Sequence, residues 1–222
     1  MRTLPLVLLL SLPAVAAAQS ADREGTWEAG IKLMDMSGEF IQGERGASLD
    51  VEGELAWGFF GQYNLNEHLA FAGEFSWSDP DYLARFPLDP NPGQGLPPNT
   101  VITVDAELDV WFTNFKVVYN FMDRALTPYV EVGYGWTSVD SNIQDGPADT
   151  GCWWDPWWGY MCASFYDTYS NTVTSVLYGV GIRWDMSDTS VLKLWYGERD
   201  TDLDRSENLK QDAYGIDFAW KF

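Results

Sequence analysis

Apolar and polar residues alternate one by one along much of this chain, and that alternation constrains its fold more than any other feature. From Leu49 to Tyr63 the odd-numbered positions are apolar, aromatic or glycine, while the even-numbered positions are mostly acidic or small, with Phe60 the exception. Successive side chains of a β-strand point to opposite faces, whereas a helix would mix the two sets around its circumference. The segment is therefore predicted to be a strand with one apolar face.

Seven further segments show the same pattern: 27–33, 69–77, 104–121, 129–137, 175–184, 192–197 and 213–222. Within 104–121 the apolar residues lie at even-numbered positions in the first half and at odd-numbered positions in the second half. This change predicts either a β-bulge near Trp111–Thr113 or an upper half that stands above a membrane. Eight is a strand number found in small closed barrels, and a tilted strand of about 10 residues matches the apolar band of an outer-membrane barrel.

The first eighteen residues have the composition of a secretory signal peptide. Arg2 precedes an apolar stretch that begins at Leu4, and Ala16 and Ala18 fit a cleavage site, so the mature chain is predicted to begin at Gln19. A retained membrane anchor is the alternative, but the apolar stretch is short for a membrane span. Residues 19–25 then form a short N-terminal segment and residues 26–222 the barrel. Export also implies a compartment in which disulfides form.

Charge and composition exclude several classes of function. The chain has 33 acidic and 13 basic residues, a formal net charge of −20, so it lacks the basic face that binds nucleic acid. One His and two Cys are too few for a typical structural zinc site, and no metal or other cofactor is predicted.

The alternation alone fits either a soluble sandwich with its apolar face inside or a membrane barrel with its apolar face on lipid. Three details favour the barrel. The polar face is rich in Gly, Ala and Ser, as a narrow lumen requires. It mixes acids with bases, which must pair when enclosed. Aromatic residues also lie near strand ends, where Trp and Tyr favour the membrane interface. We predict an all-β, eight-stranded antiparallel up-and-down transmembrane β-barrel, with a lumen charge network that includes Glu54, Glu74, Glu131, Arg183 and Lys193.

The predicted connections alternate in length. The short ones are 64–68, 123–127 and 185–190, and the long ones are 37–48, 79–100, 140–171 and 200–208. Outer-membrane barrels have short periplasmic turns and long outer loops. Both termini are therefore predicted to lie on the periplasmic side of a bacterial outer membrane.

The third long connection carries both cysteines. Cys152 and Cys162 are predicted to form a disulfide because the compartment is oxidising. Between them lie four tryptophans, Trp153, Trp154, Trp157 and Trp158. Two interpretations stay open: the rings pack over the barrel mouth, or they form an exposed surface that contacts a protein, glycan or lipid.

Neither a catalytic nor a metal site is predicted. His68 is the only His and falls in a predicted turn, whereas a Ser-His hydrolase needs its base beside a nucleophile. The acidic run at Asp200, Asp202 and Asp204, followed by Glu207, departs from an EF-hand loop in lacking its glycine and its final glutamate. It is interpreted as a solvated loop, with divalent ions bridging it to lipopolysaccharide phosphates as the alternative.

The chain resembles the small eight-stranded outer-membrane barrels of Gram-negative bacteria, the OmpA/OmpX-like superfamily. Two segments carry the resemblance, Ala213–Phe222 with its alternating apolar residues and closing Phe, and Leu126–Gly135. The resemblance implies that barrel assembly machinery and periplasmic chaperones act during biogenesis. It also implies contact with outer-membrane lipid and lipopolysaccharide. The terminal assembly signal that it implies consists of Tyr214, Phe218, Trp220 and Phe222.

From these features we expect a monomeric integral outer-membrane protein without enzymatic activity. Its lumen is predicted to be blocked, and its role to be structural or to consist of surface interaction through the long outer loops. The alternative is a narrow, porin-like channel for small or apolar solutes, as in the neighbouring OmpW-like barrels. Lipid A-modifying enzymes built on similar barrels need a His near the outer leaflet, where this sequence offers none.

Overall fold

The computed structural model describes residues 22–42, 46–87, 101–203 and 208–222, which form eleven strands. The predicted signal peptide, 1–18, lies outside these residues. No helix in the described ranges is long and apolar enough to cross a membrane. In chain order the strands are β1 (Trp27–Met36), β2 (Glu39–Gln42), β3 (Ser48–Val51), β4 (Glu54–Asn64), β5 (Leu69–Ser78), β6 (Asp81–Pro87), β7 (Val101–Asn120), β8 (Leu126–Asp155), β9 (Gly159–Ser187), β10 (Ser190–Thr201) and β11 (Leu209–Lys221).

Eight of these strands close into an antiparallel barrel. Hydrogen-bonded neighbours follow the order β7-β5-β4-β1-β11-β10-β9-β8, and a further pairing of β8 with β7 completes the circuit. The first and last strands are adjacent, and the backbone N–H of Trp27 donates to the carbonyl of Phe222 at 3.0 Å. The predicted all-β, antiparallel eight-stranded fold is confirmed.

The outer surface of the barrel is apolar and carries two aromatic girdles. One contains Trp57, Trp77 and Trp111, which are cross-strand neighbours on β4, β5 and β7. The other lies near the first residues of β1, where the rings of Trp27 and Tyr63 are 4.9 Å apart. Between the girdles, every second side chain of a strand points outward, and these outward side chains are mostly large and apolar. The side chains that alternate with them point into the barrel. The two girdles bound the band that meets hydrocarbon.

The prediction of a single strand over 49–63 is wrong, because the chain breaks at Glu52-Gly53. β3 joins β2, β6 and the upper part of β7 in a second, four-stranded sheet at one end of the barrel. Val51 is buried there, whereas Leu55, on the same parity, faces outward and is 53% exposed. A Cβ on Gly53 would lie 2.9 Å from the Met36 carbonyl oxygen, so this close backbone approach requires glycine.

β7 continues from the barrel into the second sheet. Its pairings with β5, β6 and β8 show no register shift, so the β-bulge near Trp111–Thr113 is absent and the alternative of a strand that rises above the membrane is confirmed. Even-numbered residues of β7 point inward along the whole strand. The apolar residues of β7 lie at even positions around Val110 and at odd positions around Lys116. The reason is that the interior of the barrel is apolar at Val110 and polar at Lys116.

The short connections lie together at one end, named here the turn end, and comprise 65–68, 121–125 and 188–189. The opposite end is named the outer mouth. The predicted long loop 140–171 is instead a continuation of β8 and β9, which pair up to Asp155 and Gly159 with register shifts after Asp140 and Asp145. β-branched residues such as Thr168, Thr172 and Val173 suit this extended hairpin. The predicted connections 79–100 and 200–208 fall partly outside the described residues.

Candidate functional site

The interior near the turn end is filled by ion pairs. Arg183 donates to the Glu28 Oε1 atom at 2.6 Å and to the Asp185 Oδ1 atom at 2.8 Å. Lys221 reaches the same Asp185 atom at 3.0 Å. All four side chains are at most 8% exposed. Asn64 adds a neutral donor to Glu28 at 2.6 Å, so the buried carboxylates have several partners each.

A second cluster of charges occupies the middle of the barrel. Glu74 accepts hydrogen bonds from Lys32 at 2.6 Å and from Asn114 at 2.8 Å, and Lys116 lies 2.8 Å from both Glu74 and Glu131. The space left beside this cluster is about 20 Å³. That volume accommodates about one water molecule, so the side chains that line this cavity are closely packed.

Four of the five predicted network residues lie in these clusters, with Lys193 beside Glu28 in the cluster near the turn end. Its Nζ atom donates to Gln62 at 2.7 Å and lies 3.8 Å from Glu28. The structure does not bring Glu54 into either cluster: it is exposed at the first position of β4. Glu54 shares the inward parity of β4, but it lies at the outer mouth, where water reaches it.

Arg23 closes the turn end, and the sequence did not predict it. Its side chain is fully buried and donates to Asp185 at 2.8 Å and to the carbonyl oxygens of Glu67 at 3.1 Å and Met122 at 2.9 Å. Arg23 precedes the first strand, so no alternation marks it as an inward-facing residue. The residue that could have indicated the burial of Arg23 is Asp185, a buried carboxylate beside the turns.

The interior towards the outer mouth is apolar. Met34, Met36, Ala56, Val110, Phe112 and Ala213 form one buried cluster there. Above it is a cavity of about 150 Å³, named here the mouth cavity. The guanidinium of Arg199 lies 4.0 Å from the ring centre of Phe112, at the boundary between the apolar and the charged interior.

The tip of the β8–β9 hairpin carries the predicted contact residues. The disulfide between Cys152 and Cys162 is confirmed and joins cross-strand partners. Trp154, Trp157 and Trp158 are 69%, 83% and 78% exposed, and Trp153 is 41% exposed. The exposure of these rings favours the interpretation of a contact surface over packing across the barrel mouth.

The predicted assembly residues all point away from the lumen on β11. Tyr214, Trp220 and Phe222 are exposed and Phe218 is half-buried. β11 pairs with β1 and β10 along its length, so these side chains lie on the strand that closes the barrel. Their role as an assembly signal stays a prediction.

The remaining candidates are placed apart. His68 lies in the turn after β4, with its Nδ1 atom 2.8 Å from the carbonyl oxygen of Asn120. Asp200 accepts a hydrogen bond from Asn208 at 2.9 Å, whereas Asp204 and Glu207 lie outside the described residues. Within the part of the chain that the structure covers, no three His, Cys, Asp or Glu side chains are grouped to hold a metal.

A closed antiparallel barrel with aromatic girdles outside and paired charges inside defines an integral outer-membrane β-barrel protein of bacteria. The chain belongs to the family described as outer membrane protein beta-barrel domain, whose model matches residues 5–222. Its turn end therefore faces the periplasm and its mouth the exterior.

Solved structures show the same fold. Neisserial surface protein A has a TM-score of 0.57 at 10% identity, with 90% of this chain and 100% of that chain covered. OprG of Pseudomonas aeruginosa has a TM-score of 0.53 at 12% identity, with coverages of 91% and 98%. Ail, the attachment invasion locus protein of Yersinia pestis, has a TM-score of 0.50 at 14% identity, with coverages of 90% and 99%. None of the curated proteins matches the chain.

Proposed function

We propose that this outer-membrane barrel acts in surface attachment, with a sealed barrel as the anchor and the tip of the β8–β9 hairpin as the contact surface. The observation that carries the proposal is the exposed aromatic tip, where Trp154, Trp157, Trp158 and Tyr160 are each at least 69% exposed. Exposed apolar patches of this kind mark sites of interaction. A role for the tip agrees with the name of one similar protein, the attachment invasion locus protein.

The position of the tip supports a contact outside the cell. The hairpin runs from Val139 to Asp155 beyond the upper aromatic girdle, roughly 50 Å at the usual rise per residue of a strand. The disulfide crosses the hairpin three residues before Asp155, so it holds the two strands together at the tip. A stapled hairpin loses little conformational entropy when its tip binds.

The chemistry of the tip favours a zwitterionic lipid surface as the partner. Trp and Tyr join a large apolar ring to a polar group, and such rings insert at the boundary between headgroups and acyl chains. Asp145 and Asp167, which are paired across the hairpin below the tip, are both exposed. Their charge opposes an anionic partner, so a zwitterionic surface is favoured over an anionic one.

Vesicle binding tests this proposal. The protein, reconstituted in nanodiscs, is sedimented with phosphatidylcholine vesicles. The variant Trp157→Ser/Trp158→Ser is expected to bind about tenfold more weakly than the wild type, because each ring buries a large apolar area. The matched control is Tyr169→Ser, which removes an exposed aromatic residue from the same hairpin away from its tip. Equal binding by the double variant and the wild type contradicts the proposal.

The alternative function is a narrow channel for small or apolar solutes, and the mouth cavity is the observation that favours it. The charged interior opposes it, because the path from this cavity to the periplasm runs through the buried clusters around Glu74 and Arg183. We propose a sealed lumen and no enzymatic activity.

The deletion of Phe222 is expected to lower the amount of protein in the outer membrane more than it affects refolding in detergent.

A further inference from the structure

An open cleft lies at the outer mouth, between the four-stranded outer sheet and the β8–β9 hairpin. It measures about 790 Å³ and is named here the mouth cleft. Tyr82 lines it from the sheet, and Ile143 and Tyr169 line it from the hairpin. Four apolar residues line both the cleft and the mouth cavity, so the two spaces adjoin: Leu49, Leu108, Val139 and Leu203. The volume of the cleft is that of a ligand pocket, which is typically roughly 300–1,000 Å³.

The outer end of the protein is strongly acidic. Its described segments contain seventeen acidic and two basic residues. These segments are 37–42, 46–54, 79–87, 101–109, 139–174, 200–203 and 208–212. A surface with such an excess of one charge attracts ligands of the opposite charge and speeds their association. The ligand that this end of the protein favours is therefore cationic.

Four of these carboxylates border the cleft and the adjoining cavity. Glu52 and Glu54 line the mouth cavity, and both are exposed. Asp167 lies two residues before Tyr169 and therefore on the same face of β9, and Asp145 is its cross-strand partner. Both of these aspartates are exposed. In the described ranges, no basic residue lines either space, so a cation that enters the cleft meets carboxylates from the rim and from the hairpin.

The spacing of these carboxylates favours a ligand larger than a single metal ion. Among the residues that the structure describes, no three His, Cys, Asp or Glu side chains are grouped to hold a metal. Separated carboxylates match a ligand whose own positive charges are separated, and the apolar lining matches apolar groups between those charges. We propose that the mouth cleft binds a cationic amphipathic peptide. Its apolar side chains pack against Leu49, Ile143 and Tyr169, and its basic side chains face the four carboxylates.

This site depends neither on the attachment function nor on an open lumen. The cleft lies at the base of the β8–β9 hairpin, whereas the attachment surface lies at its tip. A peptide in the cleft stays at the outer mouth, so its binding needs no path past the charged clusters inside the barrel. Variants at the cleft and variants at the tip therefore have separate effects.

Three synthetic peptides test the chemistry of the site. The mature protein, held in phosphatidylcholine nanodiscs, is titrated into a dye-labelled heptapeptide of alternating lysine and leucine, and fluorescence anisotropy is followed. Empty nanodiscs report partition of the peptide into lipid. The second peptide has glutamate in place of lysine, and the third has serine in place of leucine.

The lysine–leucine peptide is expected to bind saturably to the protein and not to empty nanodiscs. The glutamate–leucine peptide is expected not to bind, because its charge opposes that of the outer mouth. The lysine–serine peptide is expected to bind about tenfold more weakly than the lysine–leucine peptide, because it has no apolar side chains to bury. Equal affinities of the two lysine peptides overturn the role of the apolar cleft.

Removal of charge at two places locates the site. The cleft variant is Glu52→Gln/Glu54→Gln/Asp145→Asn/Asp167→Asn. The matched control removes the same charge from exposed residues on the other face of the outer sheet and is Asp50→Asn/Asp81→Asn/Asp105→Asn/Glu107→Gln. The cleft variant is expected to bind the lysine–leucine peptide about tenfold more weakly, and the control within about threefold of the wild type, because more distant charges are screened. Equal losses mean general attraction by the acidic surface and overturn the site.

A second pair of variants changes the apolar lining and leaves the charge unchanged. Tyr169 and Phe40 are each 56% exposed, so neither substitution by Ser disrupts the core, but of the two only Tyr169 lines the cleft. Tyr169→Ser is expected to weaken binding of the lysine–leucine peptide about tenfold, and Phe40→Ser to leave it unchanged. Unchanged peptide binding in Tyr169→Ser overturns the proposal.

The same variants separate this proposal from attachment. Tyr169→Ser is expected to keep vesicle binding while it loses peptide binding. Trp157→Ser/Trp158→Ser is expected to keep peptide binding while it loses vesicle binding. A joint loss of both in either variant overturns the assignment of two separate sites.

Discussion

The two halves of the barrel interior are built on the same strands with the same inward parity, yet their chemistry is opposite. On β7, Lys116 pairs with Glu74 and Glu131, whereas Phe112, two inward positions further up, belongs to an apolar cluster. In the charged half, the cavity beside the central cluster measures about 20 Å³. The apolar half leaves about 150 Å³ under the outer sheet.

This difference indicates on which half the proposed seal depends. A buried charge without its partner is costly, so the charged side chains hold one another in place, and this supports the proposal of a sealed lumen. Apolar side chains impose no such pairing, and a gap among them persists as a cavity. The proposed seal therefore rests on the charged half.

The largest effect is expected from Lys116→Met. The change leaves Glu131 and Glu74 short of a cation inside the barrel, and removing one partner of a buried ion pair typically costs about 3–5 kcal/mol. Equilibrium unfolding in urea, followed by tryptophan fluorescence in lipid vesicles, measures the loss. Lys210→Met is the matched control, since Lys210 is 60% exposed and lies 3.8 Å from Asp200, and such surface pairs contribute below about 1 kcal/mol. Equal losses in the two variants would show that the ion pairs of Lys116 do not stabilise the barrel.

A smaller effect is expected from Phe112→Ala in the apolar half. The free energy of unfolding is expected to fall by about 3 kcal/mol, the lower end of the usual range for truncating a buried Phe. The lower end is expected because the Phe112 side chain already borders a cavity. The same urea unfolding measures it. Phe40→Ala, which removes a ring that is 56% exposed on β2, is expected to cost less than about 1 kcal/mol. A change in Phe40→Ala as large as that in Phe112→Ala would contradict the assignment of Phe112 to the core.

The smallest effect on the barrel is expected from the double variant Cys152→Ala/Cys162→Ala. The disulfide joins residues near the end of the hairpin, with a sequence separation of 10, so it constrains the tip and not the barrel. Its removal is expected to change the free energy of unfolding of the barrel by less than about 0.5 kcal/mol. Cleavage by chymotrypsin at the tip is expected to become faster, because the strands there fray. A large loss of barrel stability would mean that the hairpin and the barrel unfold together.

The alternation of side chains was sufficient to predict the eight barrel strands and which face meets lipid. The alternation can be recognised within each strand by itself. Every strand shows it, because its outward side chains meet lipid and its inward side chains meet the narrow lumen. It was also sufficient for Glu74, Glu131, Arg183 and Lys193, whose inward parity is regular. The disulfide followed from the compartment and the presence of two cysteines.

Other features depend on contacts that no local pattern records. The break at Gly53 is set by its close approach to the backbone of Met36, a partner on another strand. Arg23 is buried because carbonyl groups of two distant turns converge on it. Between Val139 and its aromatic tip, the hairpin is rich in polar residues, Gly and Pro, so its composition resembles that of a loop, and its strands are defined by the pairing of β8 with β9.

The conductance of single protein molecules in planar lipid bilayers tests the sealed lumen most directly. The mature protein is inserted, its orientation is verified by chymotrypsin added to one side, and current is recorded in molar salt. The arrangement of Arg23, Arg183, Glu74 and Lys116 predicts no stepwise current above that of the bare bilayer. Reproducible, stepwise ion currents would contradict it and would assign the barrel to the channels.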